Sequence, residues 1–593
     1  TAMAIPPLAL RRFAPVGFTN LLVFFVVTLL LSSSGGGGTS RCCHAFSASH
    51  YRLHSPVQIP VGLPPAVGTS FTASRTTRGN RRRVRVSVSS WMSSSNDSGS
   101  EDIESAKPQQ FYDAIVCGGG PAGLLAAIML AQKAEQQQEK KDSYTYSIAV
   151  CERRPMVPPS PWDTALWESD VARFYLLGMG HRGQGALKQF GLYDEFCQAS
   201  VAVNGRRDWA PGKTAIDDGK ITPANKEVTS RVLAREKLVG LLHQIICKRY
   251  SDHVHLLYGY QVEPVDFGLS SNDDPVSVLI SKCDLSDTST SNTSTSTSTS
   301  KSVSDPVCDG DSLQLTKTNF LLAADGSAQT VATVMEHQDK ENKNQNKSHN
   351  KQPLFRVTRF DDDNPRVYKS VPIQLPSDWP CDLNYSARST QDSRIILEAL
   401  PSDEKGNMCA LLLMKPNDEL AQPNVDPQRL WDFFDQEFPQ FGPLITQQDM
   451  AKVAQKPAST LPSFRYVGPR LSMGHRTLIL GDAAHTVKPY FGLGANSALE
   501  DVQILSDCLD ESSKATANNN PKDAIPKAVE LFSKQRSADA KALVTISRNM
   551  DRPGKLFYVY FLIPLILDSL FHKMAPRIFG PNMFGMFQKE GMG

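Results

Sequence analysis

Residues 111–130 read FYDAIVCGGGPAGLLAAIML. The apolar segment 111–117 predicts a β-strand, and the apolar residues after the glycines have helical spacing. Between them, Gly118, Gly120 and Gly123 form the pattern GxGxxG. The first glycine permits a tight turn, the second lets the backbone approach a pyrophosphate, and the third lets helix and strand pack closely. The stretch therefore predicts a dinucleotide-binding α/β fold.

Two further strands extend this prediction. Segment 146–151 is apolar and ends in Glu152, which is placed to bind ribose hydroxyls. The polar insertion 135–142 makes its spacing from the glycines longer than the usual ~20 residues. Segment 320–324 predicts another strand, which ends in Asp325 and Gly326.

A second glycine-rich stretch, 478–502, reads LILGDAAHTVKPYFGLGANSALEDV. A short apolar strand leads to Asp482, a loop containing Pro489 follows, and a helix is predicted to start near Asn496. Glycines beside a helix N-terminus let N–H groups approach a ligand, and the helix dipole favours negative charge there. The stretch predicts a site for a cofactor that becomes anionic.

Composition excludes several classes of protein. The chain has 593 residues, which exceeds one ordinary domain. Its net charge is +2, and the basic residues concentrate at the N-terminus, so no nucleic-acid partner is indicated. The eleven cysteines include no CxxC pair, which argues against a metal site and against a disulfide framework.

The N-terminal region has the composition of a targeting sequence. No Asp or Glu precedes Asp97, and Arg11 and Arg12 stand before the apolar run 21–31, as in a secretory signal peptide. Residues 40–95 are rich in Ser, Thr and Arg, as in a transit peptide. The combination resembles the two-part presequence of secondary plastids and predicts a plastid location. A disordered tail behind a membrane anchor, with mitochondrial or other membrane association, is the alternative.

Low-complexity and apolar segments interrupt the second half. The tracts 286–304 and 337–352 are polar and are expected to be flexible surface loops. Segment 355–414 contains several short β-like runs, as in a substrate domain. The apolar segment 556–570 contains Pro564 and is short for a membrane span, so peripheral membrane contact and a buried C-terminal helix both stay open.

Four stretches carry a resemblance to a known family. They are HRGQGALKQFGL (181–192), GRRDWAPGK (205–213), AREKL (234–238) and GDAAHTVKPYFGLGANSALED (481–501). Together with the glycine motif and Asp325-Gly326, they resemble the FAD-dependent aromatic hydroxylases, and most closely the kynurenine 3-monooxygenase branch. The resemblance implies a flavin monooxygenase that takes a small aromatic substrate, O2, and NADPH or NADH as reductant. The oligomeric state stays open.

The resemblance also implies site residues. Those expected to bind FAD are Gly118, Gly120, Ala122, Gly123, Glu152, Arg153, Arg235, Val262, Asp482, Gly494, Ala495 and Asn496. Those expected to act on the substrate or at the reacting ring are Arg206, with Arg207 as a one-residue alternative, Pro489 and Asn496. His485 is expected to be structural.

The chain departs from the family at three places. The family's two substrate-binding tyrosines fall near Asp218 and within 547–551, where no tyrosine stands. A carboxylate at Asp218 is expected to repel a carboxylate substrate. Ala332 occupies a position where the family usually has arginine.

The expected architecture is a Rossmann-like FAD-binding α/β domain with an inserted, mostly antiparallel β-sheet substrate domain and a C-terminal helical segment. The segments are the signal and transit-like presequence (1–105), a first FAD-binding part (109–265), a part with the Asp-Gly motif and two inserts (266–352), a β-rich substrate domain (353–460), a second FAD-binding part (461–552) and an apolar C-terminal segment (553–593). Two alternatives to a hydroxylase stay open: a flavin-dependent epoxidase or reductase acting on an isoprenoid or carotenoid, and a non-catalytic membrane-tethered flavoprotein.

Overall fold

The computed structural model describes residues 110–138, 146–162, 175–224, 229–283, 314–345, 355–391, 395–489, 492–515, 521–576 and 578–579. The predicted presequence and the Ser/Thr tract 286–304 lie outside these residues. Residues 109–593 belong to one compact unit.

The strands occur along the chain as follows. They are β1 (Gln110–Tyr112), β2 (Ala114–Cys117), β3 (Ile148–Glu152), β4 (Leu176–Met179), β5 (Val201–Val203), β6 (Gly205–Trp209), β7 (Lys220–Pro223), β8 (Ser230–Ala234), β9 (Val254–Tyr258), β10 (Tyr260–Asp266), β11 (Val276–Lys282), β12 (Gln314–Thr318), β13 (Leu321–Ala323), β14 (Arg356–Arg359), β15 (Val367–Gln374), β16 (Leu383–Arg388), β17 (Ile396–Pro401), β18 (Asn407–Met414), β19 (Ser459–Thr460), β20 (Arg465–Gly468), β21 (Ser472–Met473), β22 (Thr477–Ile479) and β23 (His485–Thr486).

The helices alternate with these strands. They are α1 (Pro121–Gln138), α2 (His181–Gln189), α3 (Tyr193–Ala199), α4 (Arg235–Arg249), α5 (Thr330–Gln345), α6 (Pro427–Glu437), α7 (Gln447–Gln455), α8 (Leu493–Ala515), α9 (Pro521–Asp551), α10 (Lys555–Phe557) and α11 (Ile563–Met574). A π-helical turn, Tyr558–Leu562, joins the last two.

A six-stranded sheet in the order β21-β22-β13-β2-β3-β9 lies at the centre of the dinucleotide-binding part. All its pairs are parallel except β21–β22. Strand β2 is buried along its whole length, which explains its continuous apolar sequence. The sheet shares one core with α1, α4, α8 and the four-stranded sheet β1-β12-β11-β10. The carboxyl ends of β2, β3, β13 and β22 therefore meet at one edge.

A seven-stranded sheet in the order β19-β15-β18-β17-β16-β6-β7 forms the second layer. Only β6 and β16 pair in parallel, so the predicted mostly antiparallel inserted sheet is confirmed. Its outer face packs on α6 and α7. Its inner face contacts the small sheet β4-β8-β5 through Leu400, Cys409 and Leu411. A third small sheet has the order β14-β20-β23.

Three expectations need correction. Residues 205–223 lie in the seven-stranded sheet, although the first FAD-binding part (109–265) was expected to contain them, because β6 pairs with β16. Residues 337–345 are helical rather than a loop, since α5 buries Val331 and Met335 while its polar residues face solvent. The alternative of a buried C-terminal helix is also wrong.

The C-terminal segment is a mostly exposed helix. Among the described residues, Lys555–Met574 is the one helix long and apolar enough to cross a membrane, and only 6% of its most apolar window is buried. It is 20 residues long, five more than the sequence suggested.

Candidate functional site

The glycine turn after β2 has the geometry that its sequence predicts. Gly118 has φ of +107°, which L side chains rarely adopt. A Cβ at Gly123 would collide with the carbonyl oxygen of Gly118, so only glycine permits this packing of helix on strand. In front of Gly120 the nearest atom to an added Cβ would be Nη2 of Arg235, at 3.7 Å. The turn 118–123, called the glycine cradle below, is open on one side, where the guanidinium of Arg235 lies.

Glu152 lies at the end of β3, beside this turn. Its Oε2 accepts the N–H of Gly119 at 2.8 Å, and its Oε1 accepts the N–H of Arg154 at 3.0 Å. Arg153 is exposed. The structure thus brings Glu152 to the glycine turn.

Asp325 follows β13 at the same edge. Burial raises the pKa of Asp325 to about 6, against the lowering effect of the Thr330 and Val331 N–H groups and of Arg153. Its Oδ2 caps α5 by accepting the N–H of Thr330 at 2.5 Å. Its Oδ1 is buried without a hydrogen-bond partner. A buried free acceptor at this edge suits a ligand that donates hydrogen bonds.

Asp482 follows β22, in the 3₁₀ turn Gly481–Ala483. Its surroundings desolvate the carboxylate and raise its pKa, although His485 and Arg235 act in the opposite direction. A Cβ at Gly494 would lie 3.7 Å from Oδ1 of Asp482, so the start of α8 faces this carboxylate. Ala122 is close as well, because its Cβ would lie 3.4 Å from a Cβ at Gly481. Three distant stretches of chain, around residues 122, 235 and 481–494, thus converge here.

Arg235 is the first residue of α4. Burial opposes its charge, but Tyr175 and Glu236 outweigh that effect and raise its pKa. Its Nη1 donates to Oε1 of Glu236 at 2.6 Å. A cation in a first helical turn is unfavourable against the dipole unless an anion is near. Arg235 is therefore a suitable partner for a pyrophosphate.

Asn496 uses its side chain to join two backbone segments. Its Oδ1 accepts the N–H groups of Gly180 and Gly183 at 2.8 and 3.2 Å. Its Nδ2 donates to the carbonyls of Gly178 and Gly492 at 2.8 and 2.6 Å. These four bonds use the full capacity of the amide. In this structure Asn496 positions the loop before α8, and its side chain is not free for the substrate contact expected from the resemblance.

Replacing Asn496 by Asp places acceptors against two carbonyl oxygens. We expect Asn496→Asp to lower the free energy of unfolding by about 2–3 kcal/mol, since buried acceptors lose their donors. Urea denaturation measures the loss, and Asn342→Asp on the outside of α5 is the control. An equal, small loss in both variants would contradict the positioning role.

A buried ionic network lies behind the cleft. His485 Nε2 is 2.7 Å from Oδ2 of Asp501, which also accepts the N–H of Gly481 at 2.8 Å. Arg536 donates from Nε to Oδ1 of Asp501 at 2.7 Å and pairs with Glu500 at 3.2 Å. Burial would lower the pKa of His485, but Asp501 outweighs it and raises that pKa. The contacts agree with the structural role expected for His485.

Pro489 follows Lys488, the anchor of the loop before α8. Lys488 is 1% exposed and its Nζ donates to Asp362 at 2.7 Å, to Asp551 at 2.6 Å and to the carbonyl of Asn364 at 2.8 Å. Pro489 itself is exposed. The two residues after it lie outside the described ranges.

Arg206 and Arg207 point to opposite faces of β6. Arg207 lies over Trp209 and Trp379 at 5.0 and 5.4 Å, on the outer face. Arg206 lies on the inner face with Asp208. Of the two arginines, only Arg206 is placed to face the cleft side of the sheet.

The two positions without the family tyrosines have ionic partners of their own. Asp218 is exposed in a 3₁₀ turn, and its Oδ1 is 3.7 Å from Nζ of Lys213. The carboxylate beside Arg206 is Asp208 instead. Within 547–551, Asp551 binds Lys488.

Three other residues singled out from the sequence pack in the protein core. Val262 is buried in the core and pairs with Ile280 of β11, so its side chain is a core residue. Ala495 lies in the first turn of α8 and packs on the main core. Ala332 is fully buried in α5, where an arginine side chain would not fit.

Known proteins resemble this chain. A family model described as an FAD binding domain matches residues 316–527. Kynurenine 3-monooxygenase of Salinispora tropica is 24% identical over 478 residues, which is 80% of this chain and 87% of that protein. The chain is therefore similar to FAD-dependent monooxygenases over most of its described length. Kynurenine 3-monooxygenase of Aspergillus oryzae is 34% identical over 157 residues, 25% of this chain, and the match spans only 30% of that relative's length.

One solved structure is also similar to this chain. The tetrameric form of 2-methyl-3-hydroxypyridine-5-carboxylic acid oxygenase has a TM-score of 0.47 and 15% identity, covering 76% of this chain and 94% of that one.

The residues that line the cleft suit the chemical groups of FAD. The open cradle at Gly120 leaves room for a pyrophosphate, with Arg235 as its counter-charge. Glu152 lies at the ribose end of the turn, and the unpartnered Oδ1 of Asp325 and the carboxylate of Asp482 supply acceptors. The N-terminus of α8 favours negative charge on a ring placed there.

Three ionic contacts in or behind the site were not predicted from the sequence. Asp208 stands two residues after Arg206, and this spacing on a strand could have indicated a shared face. The pairs of Lys488 with Asp551 and of Asp501 with Arg536 have no local signal, because helix packing brings them together.

Proposed function

We propose that this protein is an FAD-dependent monooxygenase that hydroxylates a small aromatic substrate with O2 and NAD(P)H. The observation that carries the proposal is the convergence of the glycine cradle, Arg235, Asp482 and the N-terminus of α8 on one cleft. FAD bound there would supply the transfer of electrons to O2 and the insertion of one oxygen atom into the ring.

The residues of the chain bind the cofactor and orient it. The turn 118–123 and Arg235 hold the pyrophosphate, and Glu152 holds the ribose. The first amides of α8 favour a negatively charged ring system. Asn496 and Lys488 fix the loop that carries Pro489, and a fixed loop excludes water from the reacting centre.

An aromatic amino acid related to kynurenine is the first substrate to test, since the relatives above carry that name. On the inner face of the seven-stranded sheet, the side chain of Arg206 is 45% exposed and supplies a cation for the polar side chain of such a ring.

The test uses the purified full chain loaded with FAD. We expect an aromatic substrate to accelerate NAD(P)H oxidation and to yield a hydroxylated product. Bound FAD without substrate-dependent O2 consumption for any aromatic compound would refute the monooxygenase proposal and favour the non-catalytic flavoprotein.

The second candidate, an epoxidase or reductase of an isoprenoid or carotenoid, is favoured by the exposed apolar helix 555–574. We also propose that this helix makes peripheral membrane contact. From the composition of residues 1–105 we propose a plastid location. Binding to lipid vesicles and imaging of a fluorescent fusion test these two proposals. A chain that neither pellets with vesicles nor enters plastids would contradict them.

Replacement of Arg206 discriminates between the two substrates. We expect Arg206→Ala to raise KM for a polar-tailed aromatic substrate about tenfold without loss of FAD, because a charge-assisted contact contributes about 1.5–3 kcal/mol. Steady-state kinetics and flavin absorbance measure the two quantities. An unchanged KM would favour the lipid substrate.

A further inference from the structure

The helix 555–574 exposes apolar side chains on opposite sides. Of its residues only Phe561 is buried. Tyr558 and Tyr560 are 56% and 48% exposed, and residues two apart lie on nearly opposite sides of a helix. Ile566 and Leu570 are 55% and 48% exposed in the following turns. A single partner protein covers one side of such a helix, whereas lipid surrounds it.

The length and the ends of this helix match a lipid bilayer. Its 20 residues rise 1.5 Å each and extend about 30 Å, the thickness of the hydrocarbon core. Lys555 begins the helix, and His572 and Lys573 lie in its last turn, so basic residues stand at both ends, where the headgroups lie. Tyr558 and Tyr560, near the first end, are of a type enriched at membrane interfaces. A lipid bilayer is therefore the partner that this surface fits.

The last turns of α9 support the loop before α8 as well as this helix. Val487 and Leu493, on either side of that loop, share a small core with Leu543 of α9. The final residue of α9, Asp551, accepts a hydrogen bond from Nζ of Lys488 at 2.6 Å. The two flanks of the loop thus rest on the same helix that leads into the apolar segment.

A short connection joins this support to the apolar helix. Lys555 follows Asp551 by four residues, which span at most about 14 Å. The guanidinium of Arg552, within this connection, lies 4.3 Å from the ring centre of Tyr560. Its Nη1 is also 3.8 Å from a carboxylate oxygen of Asp363. These contacts hold the first turns of the apolar helix close to the end of α9.

We propose that the helix 555–574 binds a lipid bilayer and that α9 thereby holds the loop before α8, and the flavin site behind it, at the bilayer surface. A helix that spans the bilayer and one that lies along it both place Lys555 among the headgroups. The segment 361–365 and Pro489 have exposed residues beside this end of α9, so they lie next to the lipid. This inference rests on the membrane contact proposed above and adds which surface of the protein faces the lipid.

The experiment uses the purified full chain with vesicles of phosphatidylcholine, which have no net charge, and a small fraction of lipid with a photoactivatable headgroup. Mass spectrometry identifies the cross-linked residues. We expect cross-links in the apolar helix, in 361–365 and in 487–489. We expect none above background in 248–252, which precede β9 at the opposite edge of the central sheet from β21. A chain that pellets with the vesicles but has no cross-links in 361–365 and 487–489 would overturn the placement and leave the membrane contact intact.

Two isoleucine variants test whether lipid is the partner. Ile566 and Ile221, the latter on the edge strand β7, are 55% and 53% exposed and form a matched pair. Ile566→Asp is expected to weaken vesicle binding about tenfold or more, because a carboxylate in a lipid-facing helix loses its hydration. Ile221→Asp should bind as the wild type does. Equal binding by both variants would overturn the assignment.

Gel filtration without lipid tests a second copy of the chain as the alternative occupant. We expect the wild type and Ile566→Asp to elute at the same volume. A wild-type dimer that Ile566→Asp abolishes would show that the helix binds another copy, and would overturn the proposal.

Discussion

Lys488→Met is expected to lower the free energy of unfolding by about 3–5 kcal/mol, the usual cost of removing one partner from a buried ion pair. The ammonium of Lys488 lies between Asp362 and Asp551, which is 7% exposed. Without it, these carboxylates face each other with little water to screen them. Urea denaturation measures the loss.

Two comparisons test the origin of this loss. Lys452→Met removes an exposed lysine 3.9 Å from Asp449 and is expected to change stability by less than about 1 kcal/mol. Adding Asp551→Asn to Lys488→Met should restore part of the loss, because one unpaired charge is removed. A loss in Lys488→Met no larger than that of Lys452→Met would show that the cluster adds nothing to stability.

Arg536→Met is expected to have a similar effect, with a consequence for the cofactor. Arg536 pairs with Asp501 at 2.7 Å and with Glu500 at 3.2 Å, so its removal leaves two buried carboxylates. We expect a loss of about 3–5 kcal/mol. Because Asp501 holds the N–H of Gly481 next to Asp482, we also expect weaker retention of FAD. Urea denaturation and flavin absorbance after gel filtration measure the two effects.

The contribution of Asp501 to the free energy of unfolding depends on pH in a defined direction. Burial would raise the pKa of Asp501, but Arg536 and His485 outweigh it and hold that pKa well below its usual range. A lowered pKa contributes stability that is present above the unfolded value, about 3.9, and is lost as pH falls through the folded value. In Arg536→Met this pKa rises. The difference in stability between wild type and variant should therefore be largest at neutral pH and shrink under acid conditions. A difference that grows toward low pH would contradict the pairing.

The sequence predicted those parts of the site in which the chemistry is local. GxGxxG, Glu152 and Asp482 each stand at the end of a strand, and strand ends of a parallel sheet meet by geometry alone. The helix at 337–345 was missed because its composition is polar, whereas one buried stripe containing Met335 suffices to hold it.

The role of Asn496 could not be read from its position. Three of its four partners belong to the distant backbone segment 178–183, and the packing of α8 on α2 brings them within 3.2 Å. The same holds for the approach of Arg206 to Glu398, because the sheet register joins two residues almost 200 positions apart.

The order of the strands has a consequence for biosynthesis. Strand β13 pairs with β2 on one side and with β22 on the other. The central sheet therefore cannot close until residue 479 has left the ribosome, and the cleft needs residue 496 as well. A nascent chain exposes an unpaired sheet edge throughout that interval, which is a template for aggregation. Synthesis of most of the polypeptide must precede loading of the flavin, and chaperones have a long window in which to act.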